Sequence, residues 1–270
     1  NVVETGATLD NARRIRRGEI QFGLCTAEGV YQIYHGTGAW SQEGAYQDYR
    51  ILFVYVPAPN IIVVRADAGI QTLADLDGKP FSPGIQGSSG EATTRRMFEA
   101  LGITPQWLPG SIDEAVNYIK DGQIVGFAKA ASGPTIPDAT YLDVSTFLDV
   151  KVLGLTEDQL ATLAAKLPDL IPVEVPAGVY PGQDEPMRLP GVIGCYCAAK
   201  DFDDELAYAI TKAVHENKDL QDEAFPAVKD LDYAELTMRY ATIPLHSGAI
   251  RYYREIGAEI PERLLPPEAN

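Results

Sequence analysis

A glycine- and serine-rich turn is the stretch of this sequence whose residue types are best suited to holding a ligand. Residues 84–91 are Gly-Ile-Gln-Gly-Ser-Ser-Gly-Glu, and they lie between a predicted strand and a predicted helix. Glycines let backbone N–H groups turn outward, and the start of a helix adds positive potential, so such a turn can bind an anion. The turn lacks the lysine of a phosphate-binding loop and the spacing of a dinucleotide fingerprint. A plain N-cap, in which the serine only satisfies backbone amides, remains the open alternative.

The cysteines and histidines form no recognisable catalytic or metal site. Cys195 and Cys197 share one face of a predicted strand, Cys25 is remote in sequence, and no histidine stands at a ligand-like spacing from the pair. Buried structural thiols are therefore favoured over a metal site. No Ser/His/Asp or Cys/His arrangement has the flanking turn that a nucleophile needs. These residues predict neither a cofactor nor an enzyme.

Composition excludes several classes of protein. The 270 residues carry 22 Lys and Arg against 38 Asp and Glu, for a formal charge of −16, and 46% of them are hydrophobic. That balance is typical of a globular protein and unlike a disordered, collagenous or disulfide-stapled chain. The negative field disfavours nucleic acid as a partner. No apolar run reaches the roughly 18 residues of a spanning helix, and the first residues show no signal-peptide pattern.

Short β-rich runs alternate with amphipathic stretches, which predicts an α/β fold with mostly parallel strands. The Pro- and Gly-rich region Pro172–Pro190 is predicted to be irregular and to cross between lobes. The predicted strands are Ile20–Cys25, Ile51–Val56, Ile61–Arg65, Pro80–Pro83, Gln123–Ala128, Lys151–Gly154 and Val192–Ala199.

Helix starts are predicted from capping boxes, in which a hydroxyl and the side chain three residues later satisfy backbone amides. These are Thr72–Asp75, Ser111–Glu114 and Thr156–Gln159. The helix after Ser111 should end at Asp121-Gly122. A further helix is predicted from Asp204 to Asn217, because apolar residues recur there at helical spacing. Its predicted buried stripe is Leu206, Ala209, Ile210, Ala213 and Val214.

Several segments together resemble one family, the TAXI-type substrate-binding proteins of TRAP transporters. The resemblance runs almost from end to end, and the Tyr-Pro-Gly-Gln and Pro-Leu-His segments are its most specific parts. The segments that carry it are residues 19–24, 26–34, 36–38, 62–65, 69–79, 87–88, 93–96, 177–183 and 243–253.

The resemblance implies a type II periplasmic-binding-protein fold: two α/β lobes, joined by a hinge, with a ligand cleft between them. Lobe 1 is expected to comprise residues 1–60 and 192–270, and lobe 2 residues 61–191. It also implies a non-catalytic periplasmic receptor, expected to be a monomer without a membrane span. Such a receptor binds glutamate, glutamine or a 2-oxoglutarate-like acid and delivers it to the membrane subunit of a TRAP transporter.

Ligand contacts are expected at the carboxyl ends of strands. On one side of the expected cleft they come from residues that follow the strand Ile20–Cys25, namely Thr26, Glu28 and Tyr31. The residues expected to face them are Gly87, Ser88, Ser89, Thr93, Lys129, Ala130 and Tyr180, the last of which could close over the ligand. Two roles are open for Glu28, a ligand contact and a solvated helix-start carboxylate. For Lys129 the alternatives are the cleft and solvent.

Three departures from the family pattern qualify this expectation. The opening strand and its Gly-Gly-Thr-Tyr-Tyr turn are not found, so that the chain begins in what resembles the second strand. The family's Gly-Ser-Gly-Thr turn is here Gly87-Ser88-Ser89-Gly90, and Lys129 stands in a run that is normally apolar. Restoring an upstream strand–helix unit is expected to raise stability or affinity, because its loss would leave a strand edge unpaired.

Two other functions use the same fold. One is an enzyme, for which Glu28, Lys129 and Cys25 are the available reactive groups. The other is a sensor subunit that binds the same acid and docks on a signalling kinase. The identity of the acid and the choice between transport and sensing stay open at this point.

Overall fold

The computed structural model describes residues 2, 4–5 and 7–267, and the chain forms two compact units. Unit 1 comprises Asn1–Pro57 and Ile193–Asn270, and unit 2 comprises Ala58–Val192. Two long strands, β2 (Tyr49–Arg65) and β8 (Met187–Ala199), carry the chain out of unit 1 and back into it. Each unit contains both helices and strands, so the predicted α/β class is confirmed.

Unit 1 is built from one further strand and six α-helices besides its parts of β2 and β8, as far as its residues are described. Strand β1 pairs antiparallel with β8, and β8 is followed by β2 in the strand order. The elements are α1 (Ala7–Arg16), β1 (Phe22–Thr26), α2 (Ala27–His35), α7 (Asp204–Glu216), α8 (Lys218–Ala224), α9 (Tyr233–Tyr240) and α10 (Ser247–Glu255).

Helix α7 forms where the sequence predicts it, but it buries a different face. Leu206 is 55% exposed, and the buried residues of α7 are Ala207 and Thr211. The reason is close helix packing: a Cβ on Gly248 of α10 would lie only 2.3 Å from the carbonyl oxygen of Asp204 and 2.8 Å from Cβ of Ala207. Such an approach admits only small side chains where α7 meets α10, so Leu206 faces solvent and Ile210 and Val214 are only half-buried.

Unit 2 is a sheet with helices on both faces. Its elements besides β2 and β8 are β3 (Pro80–Ser82), α3 (Ser89–Leu101), β4 (Gln106–Trp107), α4 (Ile112–Lys120), β5 (Gly126–Ala130), α5 (Ala139–Ser145), β6 (Val150–Val152), α6 (Glu157–Lys166) and β7 (Pro172–Val175).

The half of β2 in unit 2 is buried on both faces, as expected of a strand at the centre of a layered α/β sheet. Ile62 and Val64 pack with residues of α3 and α6. Ile61 and Val63 pack on the other side with residues of α4 and α5. The alternation of these four residues therefore fixes which helices lie on which face.

The prediction of mostly parallel strands is wrong for the pairings whose register is defined. β1 with β8, β2 with β5, β2 with β6, and β7 with β8 are antiparallel. Strand β3 pairs in parallel with β4 and with β5. The alternation of strands and helices along the chain does not distinguish parallel from antiparallel pairing. A long strand can pair with neighbours that run in either direction.

Two segments around proline are more regular than the sequence indicates. β2 runs unbroken through Pro57 and Pro59, where two separate strands are predicted. The φ angle of proline suits extended backbone, and the Pro59 carbonyl still accepts from the amide of Ala131 at 2.9 Å. Within Pro172–Pro190, predicted to be irregular, β7 pairs with the first residues of β8, so that this segment belongs to the sheet of unit 2.

The three capping boxes are confirmed. The Ser111 hydroxyl accepts from the amide of Glu114 at 3.2 Å, and the Glu114 carboxylate accepts from the amide of Ser111 at 2.7 Å. The Ser111 amide, which donates to the carboxylate, and the Ser111 side chain lower the pKa of Glu114. The same arrangement begins α6 at Thr156, and the Thr72–Asp75 box begins a short 3₁₀ helix. None of the helices in the described ranges is long and apolar enough to span a bilayer.

Candidate functional site

The start of α3 in unit 2 offers backbone N–H groups that the protein itself leaves without acceptors. The amide of Gly87 donates to the Glu91 carboxylate at 2.7 Å, and the amide of Glu91 donates to the Ser88 hydroxyl at 3.1 Å. Ser88 is therefore the N-cap of α3, which was one of the two predicted alternatives for this turn. The Ser88 amide donates to the Ile85 carbonyl at 3.0 Å, and the amides of Ser89 and Gly90, which lie between Ser88 and Glu91, have no acceptor within the described part of the chain. The other alternative, an anion site, thus remains open at the same turn.

A sharp turn brings α3 onto the ends of two strands. Gly84, which follows β3, has a φ of 123°, and a Cβ placed on it would lie 3.2 Å from the amide nitrogen of Glu91. Only glycine adopts that backbone angle without strain and also leaves room for the helix. A Cβ on Gly90 would likewise lie 3.5 Å from the amide nitrogen of Ala130, at the end of β5. Gly90 and Ala130 are therefore neighbours.

Asn60 fixes the first turn of α3 in this position. Its side-chain amide donates to the Gly90 carbonyl at 3.1 Å and to the Thr94 hydroxyl at 2.8 Å, and Asn60 is completely buried. Its Oδ1 atom has no hydrogen-bond partner, and neither does Oγ of Ser82 at the end of β3. Buried polar atoms without partners are rare and call for a ligand, water or strain to explain them. Thr93, predicted to contact ligand, is also completely buried, on the inner face of the helix.

Lys129 is not solvated at the end of its strand, which is one of its two predicted alternatives, because it is ion-paired; its place in the ligand cleft stays a prediction. Its ammonium lies 2.5 Å from Oδ2 of Asp138, and the two side chains are 18% and 1% exposed. The other carboxylate oxygen of Asp138 accepts from the amides of Thr140 and Tyr141 and so caps α5. The positive charge of Lys129 is therefore balanced inside unit 2, by a residue that sequence reasoning did not single out.

Tyr180 does not stand at the surface of unit 2. It is 2% exposed, and its ring packs edge-on against Tyr141 at 4.8 Å between centroids. Burial raises the pKa of Tyr180 to about 12, and its hydroxyl is among the buried atoms without a hydrogen-bond partner. In this structure Tyr180 thus forms part of the core beside α5, and a closing movement over a ligand would require it to leave that core.

The loop that carries Tyr180 is held by Gln183. The Gln183 side-chain amide donates to the carbonyls of Val175, Pro176 and Glu185 at 2.8–3.2 Å. Its Oε1 accepts from the amide of Tyr180 at 3.2 Å. The Tyr-Pro-Gly-Gln segment therefore has a structural reason for its glutamine, which closes the loop on itself.

We expect Gln183→Ala to loosen this loop. The two hydrogens of Nε2 are shared among the three carbonyls and Oε1 accepts one further bond, so the substitution removes about three hydrogen bonds. At about 0.5–1.5 kcal/mol each, their loss should lower the free energy of unfolding by roughly 1.5–4.5 kcal/mol. Hydrogen exchange should become at least about tenfold faster for amides of residues 176–185. Gln183→Glu is the matched control, since it keeps an acceptor but cannot donate, and it should also loosen the loop. Unchanged exchange in both variants would contradict the assignment.

In unit 1, Thr26, Glu28 and Tyr31 lie together in the first two turns of α2. Thr26 is the N-cap and accepts from the amide of Gly29 at 3.3 Å. Glu28 is half-buried, with Nε2 of Gln32 3.5 Å from its Oε1. The Tyr31 ring lies 4.2 Å from the imidazole of His35. A Cβ on Gly29 would lie 2.6 Å from Cγ2 of Thr8, so glycine is required where α1 meets α2.

Two residues important for this geometry, Asn60 and Asp138, were not predicted from sequence, although each leaves a signal. Asn60 is a polar residue inside an otherwise apolar strand, which indicates a specific hydrogen-bonding role. Asp138 directly precedes α5, the usual place for an N-cap. Among the residues described, no group of three His, Cys, Asp or Glu side chains is arranged to hold a metal ion.

Comparison with known proteins gives one family and a set of similar structures. The model of the NMT1-like family matches residues 1–257. The periplasmic aliphatic sulphonate binding protein of Escherichia coli is 15% identical over 96% of this chain and 82% of its own, with a TM-score of 0.43.

Two further structures are similar to a comparable degree. The putative periplasmic sulfonate-binding protein of Methylobacillus flagellatus is 14% identical over 95% of this chain and 75% of its own, with a TM-score of 0.48. The probable amino-acid ABC transporter extracellular-binding protein of Bacillus subtilis is 14% identical over 86% of this chain and 80% of its own, with a TM-score of 0.44.

Proposed function

The chain belongs to the NMT1-like family, and on that premise we propose that it is an extracytoplasmic receptor that binds a small acidic solute. The receptor is non-catalytic and hands its solute to a membrane transporter. Its solute is a small carboxylic acid, of which glutamate, glutamine and 2-oxoglutarate-like acids are the candidates. The sequence resemblance to TAXI-type binding proteins supports this class of solute and a TRAP-type transporter as the partner.

The observation that carries the proposal is the first turn of α3. The amides of Ser89 and Gly90 have no acceptor in the described part of the chain, and the helix dipole adds positive potential at the same point. A carboxylate placed there can accept from both amides, with the exposed Ser89 hydroxyl as a third donor.

Charge makes a local site of this kind necessary. With a net charge of −16, the protein repels an acid at long range, although salt screens most of that repulsion beyond about 8–10 Å. Since Asp138 neutralises Lys129, backbone amides are the positive element best placed to attract the acid.

The proposal predicts that an acidic solute stabilises the protein. A ligand present at about 100 times its Kd adds roughly 2.7 kcal/mol to the free energy of unfolding, which corresponds to a rise in Tm of about 5–10 °C. The test is thermal unfolding with 2-oxoglutarate, glutamate, glutamine, succinate and an aliphatic sulfonate. Native mass spectrometry of the purified protein should show the same solute as a bound mass.

Two negative results together would contradict the proposed receptor. No Tm shift with any acid at millimolar concentration, together with no bound mass, would contradict the receptor function. A shift that depends on a kinase partner would favour the sensing role instead. An adjacent gene for a protein with many membrane-spanning helices would support transport, and an adjacent kinase gene would support sensing.

A further inference from the structure

His215 on α7 lies among aromatic rings from three other elements of unit 1. Its imidazole is 6.3 Å from the ring of Phe53 on β2, measured between centroids, and 5.9 Å from the ring of Tyr233 on α9. On α10 the rings of Tyr252 and Tyr253 lie 5.1 and 5.3 Å away. The imidazole is therefore a point at which α7, α9, α10 and the sheet meet.

The two ring nitrogens of His215 have different surroundings. Nδ1 lies 2.7 Å from the carbonyl oxygen of Thr211, one turn earlier in α7. A carbonyl oxygen only accepts, so Nδ1 carries the hydrogen of this bond. Nε2 is buried and has no hydrogen-bond partner in the described part of the chain. In the neutral ring the single hydrogen is therefore on Nδ1, and Nε2 is bare.

Protonation would create an N–H group at Nε2, where the structure provides no acceptor. A buried donor without an acceptor is costly, and burial also disfavours the charged form of an imidazole. Burial accordingly lowers the pKa of His215, while the bond to the Thr211 carbonyl and the charge of Asp232 oppose this shift. The packing around His215 therefore favours its neutral form.

The charged groups around His215 offer no direct partner to an imidazolium. The rings packed on it from β2, α9 and α10 are uncharged at neutral pH. On α7 itself, Lys212 is paired with Glu216. Asp232 caps α9 and already accepts from two backbone amides. A cavity of about 390 Å³ beside the imidazole is also lined by Lys218 and Asp230, whose charges are opposite. None of these carboxylates bonds to Nε2.

We propose that His215 is a pH-sensitive contact, in which the neutral imidazole holds α7 against α9 and α10 and protonation below about pH 6.5 loosens this packing. The three histidines of the chain, His35, His215 and His246, all belong to unit 1, so unit 2 has no group of this kind. The response does not depend on which solute the protein binds.

The direction of the effect follows from proton uptake by the folded and the unfolded chain. In the unfolded chain His215 takes up its proton near the ordinary histidine pKa of about 6.5, whereas the folded chain resists protonation. Above that pH the ring is neutral in both states, and the full stability is present. As the pH falls, the unfolded chain binds more protons than the folded one, so the free energy of unfolding decreases.

The first test is NMR of the wild-type chain labelled with nitrogen-15. Long-range proton–nitrogen correlations at about pH 7.5 should show a neutral His215 ring with its hydrogen on Nδ1. Its protonation midpoint should lie below about pH 6.5, and the ring signals of Tyr233 and Tyr252 should shift with it. The His215 signal is assigned by its loss in His215→Phe or, if that variant does not fold, by its contacts with the Tyr252 ring. A hydrogen on Nε2, or a midpoint at or above about pH 6.5, would overturn the proposal.

The second test compares unfolding in urea at about pH 7.5 and about pH 5. His215→Phe keeps an aromatic ring of similar size but cannot take up a proton. On acidification the unfolding constant of the wild type should rise by at least about fivefold more than that of His215→Phe. His35→Gln is the control, because His35 is exposed and its loss should leave the pH dependence of the wild type in place. Equal pH dependence in the wild type and His215→Phe would overturn the proposal.

Discussion

Replacing Lys129 with methionine is expected to lower the free energy of unfolding by about 3 kcal/mol, the low end of the effect of breaking a buried ion pair. The substitution keeps most of the bulk but leaves the carboxylate of Asp138, which is 1% exposed, without its cation. The low end applies because Lys129 is partly exposed and two backbone amides still bond to Asp138. Thermal unfolding should show a Tm about 6–12 °C lower.

Asp138→Asn provides the matched partner for a double-mutant cycle. Asparagine still caps α5, and in the double variant no unpaired charge remains. Most of the lost stability should therefore return, with a coupling energy of at least about 2 kcal/mol. A Lys129→Met variant as stable as wild type would show that the ion pair contributes nothing. Loss of solute binding in the double variant, despite restored stability, would instead return Lys129 to the ligand site.

The features predicted correctly from the sequence are those set by neighbouring residues. The capping boxes at Ser111 and Thr156 are local hydrogen-bonding patterns, so four residues are enough to identify them. The same holds for the end of α4, where Gly122 has a φ of +69°. The strand–turn–helix around Ser88 is likewise local, and Ser88 is its N-cap.

The features that were missed depend on residues far apart in the chain. Strand β7 forms because it pairs with β8, whose residues lie 12 to 18 positions later in the register from Val175–Met187 to Pro172–Pro190. A short proline-containing segment shows no such pairing in its own sequence. The buried face of α7 is set by Gly248 of α10, not by the spacing of its own apolar residues. The Asn60 bonds to α3 span 30 and 34 residues. None of these contacts leaves a periodic signal.

Ser89→Asp is expected to weaken binding of the acidic solute at least about 100-fold. The new carboxylate would sit at the first turn of α3, where it can compete for the amides of Ser89 and Gly90. Losing a charge-assisted hydrogen bond costs about 1.5–3 kcal/mol, and a like charge 4 Å away adds roughly 1–4 kcal/mol. Each 1.4 kcal/mol is tenfold in affinity. Stability should be unchanged or higher by about 0.3–1 kcal/mol, since a helix start favours a carboxylate.

Ser89→Asn is the matched control, because asparagine has nearly the volume of aspartate without its charge. It should bind the solute within about threefold of wild type. If Ser89→Asp binds as tightly as Ser89→Asn, the start of α3 does not hold the anionic group. If the two variants lose binding equally, the hydroxyl or the small size of Ser89 is what binding requires, and repulsion by the new carboxylate is not the cause of the loss.

Calorimetric titration of the wild-type chain with each acid and its uncharged amide tests most directly whether the protein recognises a small acid. One acid is expected to bind at a single site with a Kd below about 100 μM, and its amide counterpart to bind at least about tenfold more weakly. Equal affinity for the charged and uncharged forms, or no heat from any acid, would contradict it.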